Sequence, residues 1–416
     1  MSRILHESAS RMTRRQFTKL AAGGAAAFSL ADCHAPRVLA ARPPTDAALS
    51  YAGATSTPVG LAGVARGSSA EATERAVRAA ALAVSDFSWL SRGDTVLIKP
   101  VCNSGNPYPA TTDPVALRAM IGLLRERGAG RVLIADMSGV ETVRFSKDRL
   151  RGSTRQLLHQ SRIAPAVEAA GGEVHAFEEH GWDAFFEDTP AAAGSWSRPI
   201  QMPKVLNEVD HVVLMPRCAR HLLAGSTLGM KAAVGWWRHD SRLEYHRDAA
   251  TLAEKTADAN TVPSLTKKLR LVLTSATQVL TTFGPDQGYV AAPTTGLILA
   301  SPSLVAHDML SLAWLLENRS LMRAADRDGV LDDPNTSALF VNFVNRIVVN
   351  WLGGIGAALR TQRLERYDHQ SIWDDRVLRR AFQNSGGVPR IELVSEGGSV
   401  PAELQDELRA KVTLTA

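Results

Sequence analysis

Three short polar stretches, each following an apolar run, carry the residues best suited to chemistry. Lys99, Cys102 and Asn103 follow TVLI, Asp136 and Ser138 follow RVLIA, and Arg217, Cys218, Arg220 and His221 follow HVVLM. From there Gly225-Ser226-Thr227 leads into a segment bearing Lys231. Clustered cations beside a small-residue approach to a helix start suit a carboxylate or phosphate, because guanidinium forks match such anions and helix N-termini attract negative charge. The plainer alternative is that the arginines pair with surface carboxylates and Lys231 is solvated. A second concentration, His239, Asp240, Glu244, Tyr245, His246 and Asp248, holds groups that exchange protons near neutral pH. His239 and His246 stand seven apart, so a helix would turn both the same way; a polar, solvated connection is the alternative. His221 and His246 are the candidates for proton transfer.

Cys102 and Cys218 both follow predicted strands, and His221 lies three residues beyond Cys218. If the strand ends share one rim, three outcomes are open. The thiols form a disulfide in an oxidising compartment, ligate a soft metal ion together with His221, or pack as small buried groups. The chain has no Gly-x-Ser-x-Gly elbow, no His-Glu-x-x-His, no Walker loop and no Gly-x-Gly-x-x-Gly after a strand. These absences weaken readings as a common hydrolase, zinc protease, nucleoside triphosphatase or dinucleotide dehydrogenase.

Elements that would position these residues alternate between strand and helix. Apolar runs at 59–64, 95–99, 131–136, 173–177 and 211–215 read as strands, and stretches 71–84, 114–127, 153–170 and 228–237 as helices. Asp113 before Pro114 is a helix start, and Gly128 a stop. Farther on, 269–274, 296–300 and 391–395 read as strands and 303–318 as a helix. Segment 339–352 is strongly apolar with its asparagines on one face, which predicts a packed amphipathic helix and not a membrane span. The expectation is an α/β fold, a mostly parallel twisted sheet with helices on both faces.

The N-terminus reads as a targeting segment. Arg14-Arg15 with Phe17 and Lys19 precedes a mild apolar stretch and a small-residue site near Ala40, the pattern of twin-arginine export, with the translocase as partner. Cys33 follows Asp32, where a lipoprotein site needs a small residue, so no permanent membrane anchor is expected. Of 47 basic and 42 acidic residues, 6 and 2 precede residue 41, leaving a net charge of +1, so nucleic-acid binding has no compositional support. The expected organisation is a signal peptide over 1–41, a linker over 42–57, an α/β domain over 58–400 and a tail over 401–416.

Several motifs in order resemble the family called domain of unknown function 362: LIKP (97–100), TTDP (111–114), VDHVVLMPRCARH (209–221), TLGMKAAVG (227–235), Tyr245-His246, GPDQG (284–288), LILASPSLVAHD (297–308) and IELV (391–394). The resemblance implies an α/β fold and no particular reaction. The chain departs from it at Val101 and Ala232, where asparagine is usual, and at Thr274, where an acidic residue is usual. Arg217 and Arg220 replace lysines. It also lacks the Cys-x-x-Cys runs of some relatives, so no ferredoxin-type iron–sulfur cluster is expected. Taken together, the sequence predicts an exported protein binding an anionic small molecule in a cleft at the strand C-terminal ends. Lys99, Asn103, Asp136, Arg217, Arg220 and Lys231 would hold the anion, with a metal ion on Cys102, Cys218 and His221 as one option. A non-catalytic binding or maturation accessory is the alternative to an enzyme.

Overall fold

The computed structural model describes residues 49–192, 194–284, 286, 288–322, 338–365, 369–395 and 399–414. Arg14, Arg15, Cys33 and the rest of the expected signal peptide lie outside the described residues. The strands are β1 (Tyr51–Ala65), β2 (Thr95–Lys99), β3 (Arg131–Asp136), β4 (Arg144–Phe145), β5 (Leu150–Arg151), β6 (Glu173–Ala176), β7 (Phe185–Asp188), β8 (Ile200–Pro203), β9 (His211–Leu214), β10 (Arg217–His221), β11 (Gly225–Thr227), β12 (Leu269–Leu280), β13 (Val290–Ala291), β14 (Thr295–Ser301) and β15 (Val388–Ser395). The helices needed below are α1 (Ala70–Leu82), α2 (Pro114–Glu126), α3 (Thr154–Gln160), α4 (Ile163–Ala169), α5 (Val205–Glu208), α6 (Gly229–Ala232), α7 (His239–Arg247), α8 (Leu252–Asp258), α9 (Pro263–Thr266), α10 (Leu304–Ser320), α11 (Ala338–Ala358), α12 (Arg376–Asn384) and α13 (Ala402–Val412).

One sheet runs β15-β1-β14-β12-β9-β2-β3-β6, with β10, β11 and β13 attached beside β12. The run β12-β9-β2-β3-β6 is parallel, as is β15 on β1, while β14 is antiparallel to both neighbours. The sheet is therefore mostly parallel and is covered on both faces. Val96, Ile98, Val132 and Ile134 pack with α1 and α2, whereas Leu97, Leu133 and Ala135 pack with Trp236, Trp237 and Tyr245. This two-residue alternation explains the unbroken apolar runs: each side chain meets a core whichever way it points. Lys99 continues the Leu97 side and so ends on the Trp236 face, its Nζ 5.7 Å from that ring.

Local chemistry fixes the loops above the strand ends. Asp113 Oδ1 accepts from Val115 N–H at 2.9 Å and caps α2, with Pro114 at the first helical position. Thr112 Oγ1 donates to the Met215 carbonyl (2.7 Å) and accepts from Val101 N–H (2.8 Å), tying the end of β2 to that of β9. TTDP is thus an architectural latch.

Several expectations are corrected. The helix foreseen at 153–170 is two, α3 and α4, broken at Arg162 with φ +69°. Pro165 lacks the N–H that would bond the Ser161 carbonyl and crowds it, which ends α3. The linker foreseen up to residue 57 gives way at Tyr51 to β1, paired with β15 from Tyr51↔Val388 onward. The expected tail folds as α13, whose Leu408 and Val412 join the core with α10. Residues 217–221, read as a loop, form β10. Helix α11 is long and apolar enough to cross a membrane; Val341, Asn345 and Val349 form a buried stripe, 17% of its apolar window is buried, and the chain kinks at Gly354 (φ +74°).

Candidate functional site

At the carboxyl ends of β2 and β3, Lys99 and Asp136 form a buried ion pair, Nζ to Oδ1 at 2.8 Å. Asp136 also accepts from the backbone N–H groups of Cys102 and Met137, each at 2.9 Å, and Lys99 donates to the Pro100 carbonyl at 2.8 Å. A Cβ at position 235 would collide with both charged ends, so Gly235 of TLGMKAAVG is required by this close approach. Burial lowers the Lys99 pKa while Asp136 opposes the shift. Both residues, foreseen as ligand-binding, pair with each other. Asn103 lies half-buried beside them, and its carbonyl accepts from Thr142 Oγ1 at 3.1 Å.

The other cations are less well matched. Arg217 has no exposed surface, and its one ion pair is Nη1 to Asp286 Oδ1 at 3.2 Å. Its Nε and Nη2 are buried without a hydrogen-bond partner. Register places Thr227 opposite Ala219, so Arg217, Ala219, His221 and Thr227 share one face of the β10–β11 hairpin. Of nine buried side-chain N and O atoms lacking a partner among the described residues, five belong to Arg217, Thr227, Trp237 and His239 on this rim. Lys231 keeps some exposure, has no carboxylate partner among the described residues, and packs over the Tyr245 ring at 5.7 Å. Burial, then the charges of Arg242, Arg217 and Lys99, bring its pKa down to about 7.

Arg242, which the sequence reading passed over, is central. From α7 its guanidinium donates to the carbonyls of Trp237 (2.9 Å) and Met137 (2.6 Å), with a further bond to Ser138. Burial brings its pKa down to about 10. Four cationic side chains thus face three carboxylates, Asp136, Asp286 and Glu178. Uncompensated buried charge costs several kcal/mol, so this rim is electrostatically incomplete.

Both candidate histidines are held neutral. His221 Nδ1 accepts from the N–H groups of Leu223 (3.0 Å) and Ala224 (3.3 Å), which fixes the lone pair on that nitrogen. Burial and the nearby Lys231 and Arg217 depress its pKa far below the ordinary value. Asn345 donates its amide to the His246 carbonyl (2.8 Å), so its Oδ1 accepts from His246 Nδ1–H (3.0 Å) and leaves the lone pair on Nε2. Burial, then Lys231, brings His246 to about 3. His239 instead donates through Nε2 to the Val143 carbonyl at 2.9 Å. The 239–248 stretch is therefore a buried helix face, not a solvated connection.

Three expectations fail here. Arg220 points to the opposite face of β10, where Nη1 meets His369 Nδ1 at 3.0 Å and His369 Nε2 meets Asp375 at 2.8 Å. Cys102, Cys218 and His221 do not converge: both cysteines are free thiols in different cores, and no group of three metal-binding side chains occurs among the described residues. A strand feeds its side chains alternately to opposite faces, so Cys218 cannot follow Arg217 and His221. The helix start after Gly225-Ser226-Thr227, expected to suit an external anion, gives its Gly229 and Met230 N–H groups to Asp308 at 2.8 and 2.7 Å. Asp308 also accepts from His307 Nδ1 (2.9 Å), whose Nε2 meets Thr274 Oγ1 at 2.9 Å. This Thr–His–Asp relay has the geometry of a nucleophile and base, but Thr274 and His307 have no exposed surface. It is a latch between β12 and α6.

A cavity of about 10 Å³ lined by Ser226, Met230, Lys231 and Asp308 has room for about one water. A larger one, about 240 Å³, lies on the outer side of α7 among Arg198, Arg238, Asp240 and Arg247, away from the strand ends.

The sequence profile of the domain of unknown function (DUF362) matches residues 96–313, from the start of β2 to the middle of α10. The chain belongs to this family. The matched span holds every member of the cationic rim, Lys99, Asp136, Arg217, Lys231 and Arg242, and excludes Asn345, which orients His246. A comparison with curated proteins finds no match. Among solved structures, the lactate racemase apoprotein from Thermoanaerobacterium thermosaccharolyticum is similar at a TM-score of 0.34 and 14% identity, covering 50% of this chain and 48% of that one. A structural-genomics protein from Thermotoga maritima is similar at 0.31 and 15%, covering 51% of each. The chain therefore spans about half the length of the solved structures it matches.

Proposed function

We propose that this DUF362 protein binds a small anion at the strand-end rim, with Arg217 and Lys231 as its direct contacts and Arg242 supporting from behind. The observation that carries this reading is Arg217: a fully buried guanidinium with two unpartnered nitrogens and a single long contact to Asp286. A bound anion would complete such a group, and without one an unsatisfied buried charge is destabilising. Asp286 then acts as an internal placeholder. Its carboxylate occupies one prong of the fork, and an incoming carboxylate or phosphate replaces it and engages the others bidentately. Burial raises the Asp286 pKa, and Arg217 opposes the shift.

The test is thermal stabilisation by phosphate, oxalate and glycolate. A binding anion stabilises the fold by mass action, by roughly 2.7 kcal/mol at a hundredfold excess over Kd. Arg217→Gln should abolish the shift, and Asp286→Asn should tighten binding about tenfold by removing the competitor, roughly 1.4 kcal/mol. Anion-insensitive melting of the unaltered protein would defeat the proposal. We further infer export by the twin-arginine translocase, from Arg14-Arg15 and the stretch that follows. Replacing both arginines by lysine should leave the protein in the cytoplasmic fraction; undiminished export of that variant would overturn the inference.

A further inference from the structure

We propose that the rim's anion is a small oxo-carboxylate, and that Lys231 condenses with its carbonyl to form an imine. The proposal rests on the anion reading above and deepens it. A simple anion site needs only fixed charges, and Arg217 with Arg242 already provides them. Lys231 adds something different: a primary amine with partial access, no carboxylate partner among the described residues, and a ring face beneath it. Its neighbours are cations, Arg242, Arg217 and Lys99, which disfavour the ammonium form. A lysine desolvated beside other cations is an activated nucleophile.

The surrounding groups fit the two stages of condensation. The free amine attacks the carbonyl carbon to give a carbinolamine, its nitrogen losing one proton as the carbonyl oxygen gains one. The C–O bond then breaks as the hydroxyl takes a second proton and leaves as water; the nitrogen gives up its remaining proton and its lone pair forms the C=N bond, with no change in oxidation state. Proton movement needs a neutral base near the nitrogen. His246, fixed by Asn345 with its lone pair on Nε2, lies within electrostatic reach of Lys231. The unpartnered Arg217 nitrogens hold the carboxylate end. A carboxylate without a carbonyl would bind and stop there.

The experiment uses the full chain with glyoxylate and cyanoborohydride at pH 7, followed by peptide mass spectrometry, with glycolate as the non-carbonyl control. Expected is one carboxymethyl group on Lys231, formed on the order of a hundredfold faster than on exposed lysines such as Lys147 and Lys204, because a far larger fraction of Lys231 is free amine. Glycolate should protect it, and Arg217→Gln should slow labelling at least about tenfold. Lys231→Arg should lose the adduct. If glycolate stabilises the protein and Lys231 is labelled no faster than Lys147, the imine is wrong and the anion site stands. If glycolate neither stabilises nor protects, both readings fall.

Discussion

The two faces of the β10–β11 hairpin are equally rich in buried polar groups and differ in whether those groups are satisfied. On one face Arg220, His369 and Asp375 form a closed chain, and nearby Asp308 joins Gly229, Met230 and His307. On the other, Arg217 and Thr227 keep unpartnered atoms, and Lys231 lacks a carboxylate. Both faces are made by one strand whose alternate residues diverge. A satisfied network reads as architecture, whereas leaving a buried donor unpaired costs more than a typical bond contributes. The contrast predicts that substitutions on the two faces differ in sign.

The largest effect belongs to the closed face. Asp308→Ala strips two backbone donors and His307 of their acceptor and should cost about 3–5 kcal/mol in urea-induced unfolding. A loss under about 1 kcal/mol would show that the latch carries little, and the distinction between the faces would weaken.

Next comes the pH response of the histidines about the open face. His246 and His239 both have folded pKa values of about 3 against an ordinary 6.5. The unfolded chain therefore binds more protons between those limits. Stability should be intact above pH 6.5 and decline as pH falls toward 3, by at most roughly 1.4 kcal/mol per pH unit for each ring. His246→Gln keeps a donor for Asn345 and should remove one ring's share of that slope, with His239 and His221 keeping theirs. An unchanged slope would mean that the ring accepts a proton in the folded state.

The same contrast shows what the sequence disclosed. The strands β2, β3 and β9 were legible because a doubly covered sheet demands unbroken apolar runs, and the cap at Asp113-Pro114 announces its helix. Lys99, Asp136, Arg217 and Lys231 were legible as a group because the topology brings parallel strand ends to one rim. Their division of labour was not. Whether a cation is paired depends on residues distant in the chain: Asp308 on Gly229, 79 positions away, or His369 on Arg220, 149 away. Arg242 was missed because its partners are carbonyls, which leave no signature in side-chain types. Its spacing from His239 and His246, three and four residues, was the available clue. Pro165 was in plain view as the break between α3 and α4.

A smaller effect with the opposite sign tests the open face directly. Arg217→Met removes an incompletely paired buried charge and fills similar volume, so the anion-free protein should gain about 1 kcal/mol while losing its response to glycolate. A residue held for structure alone would behave otherwise: the same change would lower stability, as Asp308→Ala does.

The smallest effect concerns the cysteines, one beside each region. Cys102 N–H holds Asp136 at the open rim, whereas Cys218 Sγ donates to the Ser311 carbonyl (3.4 Å) behind the closed face. Burial raises both thiol pKa values, Cys102 to about 12. The thiolate is the reactive form, and it is scarce at neutral pH. Reductant should leave the unfolding midpoint within about 0.5 kcal/mol, because no cross-link restrains the unfolded chain. Alkylation should proceed at the rate of chain opening, equally at both sites. A Cys102 that reacts faster than Cys218, and faster still when Asp286 is replaced by Asn, would show that the open rim breathes where the closed face does not. That result would carry the difference between the two faces from their static pairing into their motion.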